Sequence, residues 1–518
     1  MHDFLLEARD EGLIAFITDN GGGGLSSSIG ESARFSNGCR VDLDRVPLKY
    51  EGLDQWEIWV SESQERMTIA VRPERLRRFM ALSEKHGVES TVIGEYDGSG
   101  YLRLDYKGKT CAFIRMDFLE SDFPQWEFEA EWLSPELRAL TEPVLSEPKE
   151  HGSLLKDILS RPNIAAKNWV ARQYDHEVQG GCIIKPLVGK KRDMVSDAVV
   201  MRPVLGSTRG LAITQALNPF YSDIDTYHMT AVTIDESVRK VLAVGGDPEH
   251  IGGVDNFCWP TVIYHPEQNP DGKYKAAQLV RSNWALRDYC LGYGIPLLSG
   301  KDSMYVDGHL KGPFGERRKV SGKPTLLFTA SSVIKDIRKC VTMEAKVPGD
   351  LVYILGETKD ELGGSEYYQR MEKVGLQVPK VDVKETWPIY LSLHRAIVEE
   401  LVVSAHAVSR GGLAVHLALV AMGGELGMNV HMDKVPGSIP LSPAGALYSE
   451  SAGRFIVTVD PGKKDAFESL FKGMKAACVG FTTDKSALAV YDQKERLIIE
   501  EDIHELKKCW MKPFGALI

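Results

Sequence analysis

The segment TDNGGGGLSSS (18–28) places one acid, Asp19, just before a run of glycines at 21–24. The residues that follow predict a helix, so the glycines form a turn at its N-terminus. Such a turn allows the close backbone approach that a phosphate needs, and a carboxylate oxygen is a ligand that Mg²⁺ prefers. The alternative is an aspartate that caps an ordinary turn, and the segment taken by itself favours this alternative.

A second polar group follows in WVSESQERMTIAV (59–71), where Glu62, Ser63 and Gln64 offer a carboxylate, a hydroxyl and an amide. The alternating apolar residues after them predict a strand. The alternative is therefore a polar strand end without a ligand.

The sequence contains an internal repeat. The blocks HAVSRGGLAVHLAL (406–419), VHMDKVP (430–436) and LYSESAGRFIVTV (447–459) match, in the same order, the first Gly-rich segment, VDLDRVP (41–47) and the segment around Glu62. Gly24 corresponds to Gly412 and Glu62 corresponds to Glu450, both at a spacing of 388 residues. Because Ala452 replaces Gln64 in the second copy, the first copy is predicted to be the functional one.

Each copy has the pattern of an α/β unit, and the second copy opens with a further strand in GDLVYILGETKDELGGSEYY (349–368). At the same spacing, its counterpart would precede Met1. We therefore expect the chain to begin inside a domain and the first sheet to be short of an opening strand.

Between the copies, strands such as GLAITQAL and PTLLFTASSVI alternate with helices such as KAAQLVRSNWALRDYCLGYG, which predicts another α/β domain. We predict four intervals: 1–117 is the first repeat domain, 118–165 is a linker rich in proline and acids, 166–345 is the intervening domain, and 346–518 is the second repeat domain.

Composition excludes some classes of partner. The net charge of -10 opposes nucleic-acid and membrane-surface binding, because both demand a basic face. The eight cysteines show no metal-ligand spacing, and the N-terminus does not resemble a signal peptide. We expect a cytoplasmic protein with reduced cysteines.

Taken in order, TDNGGGGLSSS, SESQERM, SDAVV (196–200), DESVRKVLAVGGDP (235–248) and SGKDSMY (299–305) resemble the phosphoribosylformylglycinamidine synthase family of the AIR-synthase-like superfamily. The resemblance covers nearly the whole chain. It implies an α/β (α+β), AIR-synthase-like (PurM-like) fold with tandem modules in the order B, A, B, the first A module being absent. Intervals 1–117 and 346–518 are then C-terminal-type domains, and 166–345 is an N-terminal-type, ATP-binding domain.

The resemblance also implies roles for individual residues. Asp19 matches a magnesium ligand, and Glu62, Ser63 and Gln64 match a segment that contacts the ribotide substrate. In the A domain, Ser303 matches a substrate contact, whereas Asp255, Gly300 and Lys301 match ATP contacts. The alternative for the A-domain residues is ordinary turn chemistry.

Two more acids, Asp197 and Glu236, match metal-associated positions of an auxiliary nucleotide site. Around them the pattern departs from the family, because Lys240 replaces an asparagine while Ala407 and Arg410 replace acids. We expect this second site to be degenerate and not fully occupied by Mg²⁺.

The implied activity is that of an ATP-dependent carbon–nitrogen ligase of purine biosynthesis. ATP phosphorylates the amide oxygen of formylglycinamide ribotide, and ammonia then displaces phosphate to give the amidine. The family's catalytic histidines lie in the first A domain, so no catalytic residue is assigned in this chain. The implied partners are an upstream synthetase half, a separate glutaminase subunit that supplies ammonia from glutamine, and a small bridging subunit.

Two alternatives stay open. A catalytically inactive nucleotide-binding or scaffold subunit of the same superfamily would fit the replaced acids of the second copy. Another AIR-synthase-like kinase or synthetase, such as a selenophosphate or thiamine-phosphate enzyme, would show one A module followed by one B module.

Overall fold

The computed structural model describes residues 1–121, 125–177, 179–437 and 441–517. The chain divides into two units, Met1–Glu127 and Phe128–Ile518. Helices and strands alternate in both, as the sequence predicts for an α/β protein. No helix in the described ranges is both long and apolar enough to cross a membrane.

The first unit contains short strands and helices that follow the predicted order. They are α1 (His2–Asp10), β1 (Phe16–Asp19), α2 (Leu25–Ser32), β2 (Cys39–Asp42), α3 (Gln55–Val60), β3 (Met67–Ala70), α4 (Pro73–Lys85), β4 (Gly94–Tyr96), β5 (Tyr101–Tyr106), β6 (Lys109–Arg115) and α5 (Met116–Glu120). The strands form a two-stranded sheet, β1-β3, and a four-stranded sheet in the order β4-β2-β5-β6. Each sheet contributes to its own small apolar core.

The second unit begins with the domain that lies between the repeats. Its elements are α6 (His151–Leu159), α7 (Asn168–Arg172), β7 (Cys182–Ile184), β8 (Leu187–Val188), β9 (Met194–Val195), β10 (Val199–Met201), β11 (Gly210–Leu217), α8 (Thr226–Ala243), β12 (Ile251–Cys258), α9 (Gly272–Tyr293), β13 (Leu297–Ser303), β14 (Asp307–Lys311), β15 (Arg317–Ser321) and β16 (Thr325–Ile334). A six-stranded sheet in the order β13-β12-β16-β11-β10-β7 carries α8, which also packs against α9.

The second repeat copy completes this unit. Its elements are β17 (Leu351–Leu355), α10 (Glu366–Arg370), α11 (Val383–Val398), β18 (Ser404–Ala407), α12 (Gly412–Gly424), β19 (Gly427–His431), α13 (Pro443–Tyr448), β20 (Phe455–Val459), α14 (Lys464–Leu470), β21 (Ala476–Thr483), β22 (Ala487–Tyr491), β23 (Leu497–Asp502) and α15 (Ile503–Met511). Seven strands form one sheet in the order β18-β20-β17-β21-β19-β22-β23.

Strand pairing repeats between the two copies. Phe16 pairs with Ala70 in β1-β3, and Ser404 pairs with Thr458 in β18-β20, so both partners shift by 388 residues. The parallel pair β2-β5 of the first copy corresponds to the parallel pair β19-β22 of the second. The antiparallel hairpin β5-β6 corresponds likewise to the hairpin β22-β23. The repeat seen in the sequence is therefore a structural duplication.

The two copies differ at one strand. In the second copy β17 pairs with both β20 and β21, and so joins the two halves of the sheet. Among the described residues of the first unit, no strand joins β3 to β4, and the sheet remains in two pieces. Over its described residues, the first copy therefore has no counterpart of β17.

Part of the interval predicted as linker belongs to the packed core. Helix α6 lies within 118–165, and its apolar residues Leu154, Leu155, Ile158 and Leu159 are buried in the large apolar core of the second unit. Their i, i+1, i+4, i+5 spacing puts them on one helix face, which packs against α15 and α12. The proline and acid content of the surrounding interval obscured this pattern in the sequence.

Replacing Leu155 by alanine tests the role of α6. The side chain is fully buried, so Leu155→Ala should lower the free energy of unfolding by about 2–5 kcal/mol. Val144 is fully exposed in the same interval, and Val144→Ala should change it by no more than about 0.5 kcal/mol. Chemical denaturation measures both, and equal small effects would show that α6 is dispensable for the core.

Candidate functional site

The Gly-rich turn of the first unit brings two predicted acids to one place. Strand β1 ends at Asp19, which pairs with Met67 at the start of β3. The N–H of Gly21 donates to Asp19 Oδ1 at 3.2 Å, and the N–H of Gly23 donates to Glu62 Oε1 at 3.0 Å. Both carboxylates are exposed. Asp19 and Glu62 therefore flank the same turn, as the repeat analysis requires.

Gly24 makes this close arrangement possible. Its φ is +59°, and a Cβ there would lie 2.0 Å from the carbonyl oxygen of Ser61. Only glycine lets α2 begin so close to the loop that carries Glu62. A Cβ on Gly22, by contrast, would meet open space, so that part of the turn is accessible from solvent.

Arg66 holds the loop formed by Ser61–Gln64. Its guanidinium donates from Nε to the carbonyl of Ser63 at 3.0 Å and from Nη2 to the carbonyl of Ser61 at 2.5 Å. The hydroxyls of Ser61 and Ser63 lie 2.9 Å apart, and Gln64 Nε2 donates to the carbonyl of Glu62 at 2.9 Å. The loop is therefore ordered by its own polar groups.

The second copy repeats the arginine, serine and glycine contacts, whereas Ala452 has no counterpart of the Gln64 bond. Arg454 donates to the carbonyls of Ser451 at 2.9 Å and Ser449 at 2.6 Å, and the hydroxyls of those serines lie 2.9 Å apart. The N–H of Gly411 donates to Glu450 Oε1 at 2.7 Å. Sequence reasoning overlooked both arginines, although they match at the 388-residue spacing.

The environment of the glutamate differs between the copies. Glu450 is fully buried, its Oε1 also accepts from the N–H of Glu366, and its Oε2 accepts from the hydroxyl of Tyr221 at 2.5 Å. Burial raises the pKa of Glu450 to about 7, although Arg410 and the hydrogen bonds act in the opposite direction. Ala407 stands at the position of Asp19. The second copy is therefore closed where the first is open.

In the domain between the copies, the predicted ATP residues lie on two adjacent strands. Parallel strands β12 and β13 place Asp255 beside Gly300, where a Cβ would lie 3.0 Å from Asp255 Oδ1. Burial, assisted by Asp302, raises the pKa of Asp255. Lys301 Nζ donates to Ser303 Oγ at 3.1 Å. Strand β13 is an exposed edge of the sheet, so Gly300 and Lys301 are accessible, whereas Asp255 on β12 is buried beside them.

The two acids matched to the auxiliary site have protein partners. Asp197 Oδ2 lies 2.8 Å from His406 Nδ1, and its Oδ1 accepts from the N–H of Ala407 at 3.1 Å. Glu236 Oε1 lies 2.5 Å from Lys240 Nζ, and its Oε2 accepts from Asn218 at 3.0 Å. Both carboxylates are buried. This environment does not fit Mg²⁺, whereas the exposed Asp19 beside an open turn does.

A surface cavity of about 310 Å³ lies elsewhere in the second unit. Its lining includes Gly356, Lys359, Asp382, Gly453 and Lys475, and it contains none of the predicted substrate, ATP or metal residues. We therefore place the candidate sites at the turn of the first unit and the β12-β13 border of the second.

The two equivalent arginines provide a matched test of loop anchoring. Arg454 is fully buried and also donates to Thr358 Oγ1, so Arg454→Ala should cost about 3–5 kcal/mol of stability by leaving buried acceptors unpaired. Arg66 is only partly buried, and Arg66→Ala should cost about 1–2 kcal/mol. Urea denaturation measures both. A larger loss for Arg66→Ala would contradict the open and closed description of the copies.

The raised pKa of Glu450 predicts a pH dependence of stability. Between the ordinary value of 4.5 and about 7, the folded chain holds a proton that the unfolded chain releases. Stability should therefore fall as pH rises through 7, by on the order of 3 kcal/mol in total, and Glu450→Gln should remove this slope. Thermal unfolding between pH 5 and 8 measures it. Glu62→Gln, at the exposed counterpart, is the control and should leave the slope unchanged.

Comparison with known proteins agrees with this architecture. The family model described as AIR synthase related protein, C-terminal domain, matches residues 1–107 and 347–493, which are the two repeat copies. The phosphoribosylformylglycinamidine synthase subunit PurL of Thermoplasma acidophilum is 30% identical over 508 residues, and that of Thermococcus sibiricus is 31% identical over 506 residues. Each alignment covers 98% of this chain but only 63% and 65% of the relative, respectively.

Solved structures show the same fold. Thermotoga maritima PurL complexed with ADP has a TM-score of 0.58 at 21% identity, covering 93% of this chain and 66% of that one. T. maritima PurL complexed with FGAR has a TM-score of 0.57 at 21% identity, with 93% and 64% covered. The chain therefore shares the fold of these PurL structures, and its sequence is similar to PurL subunits over nearly its whole length.

Proposed function

We propose that the chain contributes to a phosphoribosylformylglycinamidine synthase, an ATP-dependent ligase that converts formylglycinamide ribotide to the amidine in purine biosynthesis. The relatives at about 30% identity carry that name, and related structures contain ATP or FGAR. The chain spans less than two thirds of the length of these relatives. The observation that carries the proposal is the open turn of the first copy, where Asp19 and Glu62 are exposed beside accessible glycine backbone.

At this turn Asp19 would hold Mg²⁺, which supplies positive charge to the ATP phosphates when it is bound. Glu62, Ser63 and Gln64 would contact the ribotide. A carboxylate accepts hydrogen bonds from sugar hydroxyls, while a hydroxyl and an amide can both donate and accept. Because Arg66 fixes the loop through its backbone carbonyls, the three side chains would be oriented before the substrate arrives.

The β12-β13 border would serve the nucleotide. Gly300 allows close backbone approach, and Lys301 places an ammonium on the exposed strand, where it can offset phosphate charge. Ser303, within hydrogen-bond distance of Lys301, would contact the substrate. Asp255 would accept a hydrogen bond from the nucleotide. Positioning and charge neutralisation are the main tasks of a protein in phosphoryl transfer, and these residue types suit both.

Ammonia and the remaining catalytic groups would come from other polypeptide. We propose an upstream synthetase half, a separate glutaminase subunit and a small bridging subunit as partners, in the cytoplasm. A catalytically inactive nucleotide-binding subunit is the second candidate. The closed second copy favours it, because Ala407 and the buried Glu450 leave no exposed acid at that turn.

An amidine-formation assay with ATP, ribotide and ammonia, run with and without the upstream half, tests the proposal. Turnover should require both parts, and Asp19→Asn should lower kcat/KM by about 100-fold or more because an acidic ligand for the phosphate-bound ion is lost. Asp10→Asn, an exposed acid on α1, is the matched control and should retain activity.

Three outcomes would contradict parts of the proposal. Full activity of Asp19→Asn would exclude the metal role of the turn. If the assembled protein forms no amidine but the chain binds nucleotide, the inactive-subunit alternative is correct. Turnover by the chain without the upstream half would instead show that the half is not required.

A further inference from the structure

Helix α8 carries two acids and supplies each with its own basic partner. Asp235 pairs with Arg239 at 2.7 Å, and Glu236 pairs with Lys240 at 2.5 Å, both at the i, i+4 spacing. This spacing places the partner one helical turn away on the same face. The segment DESVRK therefore brings its own neutralising charges to a position where the family resemblance implies magnesium.

Each carboxylate oxygen of Glu236 already has a nitrogen partner. Its side chain is 8% exposed, Oε1 faces the ammonium of Lys240, and Oε2 accepts from Asn218 Nδ2 at 3.0 Å. Lys240 Nζ and Asn218 Nδ2 therefore enclose the buried carboxylate from two sides. A magnesium ion here would lie against a fixed ammonium, which like-charge repulsion disfavours.

Asp197 is similarly enclosed. Its side chain is 1% exposed, His406 Nδ1 lies 2.8 Å from Oδ2, and the N–H of Ala407 donates to Oδ1 at 3.1 Å. An ionised carboxylate only accepts, so His406 Nδ1 is the donor. On the other side of the His406 ring, Nε2 lies 2.8 Å from His416 Nδ1. His416 Nε2 in turn accepts a hydrogen bond from the N–H of Ser409 at 3.0 Å. The carboxylate thus anchors the glycine turn of the second copy.

Arg410 fills the neighbouring space where the family pattern has an acid. It lies 3.5 Å from Glu366 Oε1 and 3.4 Å from Asn218 Oδ1, and its guanidinium carbon is 5.4 Å from the centre of the Phe220 ring. Asn218 therefore bridges Arg410 to Glu236. Glu236 therefore has a cationic partner in Lys240 and, through Asn218, a second cation nearby in Arg410.

Mg²⁺ requires six oxygen ligands in octahedral geometry and usually keeps several waters. Here the buried acids already accept from nitrogen donors, and the surrounding charged groups are ammonium and guanidinium. We propose that Asp197, Glu236, Lys240, His406 and Arg410 form a magnesium-independent ionic joint between α8 and the β18–α12 turn. Protein cations take the place of a metal at this joint, and its stability does not require a divalent ion.

The joint fixes two domains of the second unit to each other. Asp197 and α8 belong to the domain between the copies, whereas His406, His416 and Arg410 belong to the second copy. Arg239 adds a further link, because its Nη1 donates to the carbonyl of Val408 at 2.5 Å while fully buried. The charged groups of the joint thus hold these two domains together permanently, where a bound ligand would hold them only while it is present.

Thermal unfolding of the full chain in excess Mg²⁺ and in excess EDTA tests the joint. The Tm of Asp19→Asn, which lacks the magnesium ligand proposed for the first unit, should agree within about 1 °C between the two conditions. Glu236→Gln should lower Tm by about 5–10 °C equally in both, because it leaves the Lys240 ammonium without its counter-charge. Glu236→Gln combined with Lys240→Gln keeps a hydrogen-bonded pair without charge, and it should recover at least half of that loss.

Binding of Mn²⁺, a spectroscopic substitute for Mg²⁺, gives a second measurement by electron paramagnetic resonance. The wild type, Asp197→Asn and Glu236→Gln should bind the same number of ions. A lower Mn²⁺ count in either variant, or a fall of several degrees in wild-type Tm on adding EDTA that Glu236→Gln abolishes, would overturn the proposal. Neither measurement uses turnover, so the outcome is independent of the proposed ligase activity.

Discussion

The hydrogen bond from a glycine N–H to a loop glutamate holds each repeat copy together. Gly23 donates to Glu62 in the first copy, and Gly411 donates to Glu450 in the second. The bond connects the strand–turn–helix segment to the strand that pairs with it. It forms because Gly24 and Gly412 carry no side chain, since a Cβ on either would lie within 3 Å of the backbone of the loop. The glycines therefore determine the distance at which every other group of the turn is placed.

The same bond has different consequences in the two environments. In the second copy the carboxylate of Glu450 also accepts hydrogen bonds from the hydroxyl of Tyr221 and from the backbone N–H of Glu366. It is buried, and its pKa is raised. In the first copy Glu62 remains exposed, so its other oxygen can face a ligand. Duplication thus preserved the backbone geometry while burial decided what each carboxylate can do. A buried acid with a complete set of donors stabilises the contact between its domains, and an exposed one is available for recognition.

Much of this arrangement could be predicted from the sequence. The repeat spacing located both turns, and the strand pattern located β11 and β16 within the intervening domain. The split of the first sheet followed from the position of β17 in the second copy. The packing of α6 could not be predicted, because its four apolar residues lie in an interval dominated by proline and acids. Nor could Tyr221 be assigned to Glu450, since the two are 229 residues apart and only the tertiary fold brings them together.

The charges on α8 show how a residue pattern can be misjudged when acids are considered without their helical neighbours. Glu236 looks like a ligand when the acids alone are compared with a family motif. In a helix, however, residues four apart lie on the same face, so Arg239 and Lys240 are the nearest partners available. Replacement of an asparagine by Lys240 therefore changes the chemistry of Glu236 without moving it. A carboxylate can bind a metal only while no permanent cation lies within its reach. In this chain Asp19 satisfies that condition better than Glu236 does, because Asp19 lies exposed at the open turn and accepts a hydrogen bond from a backbone N–H.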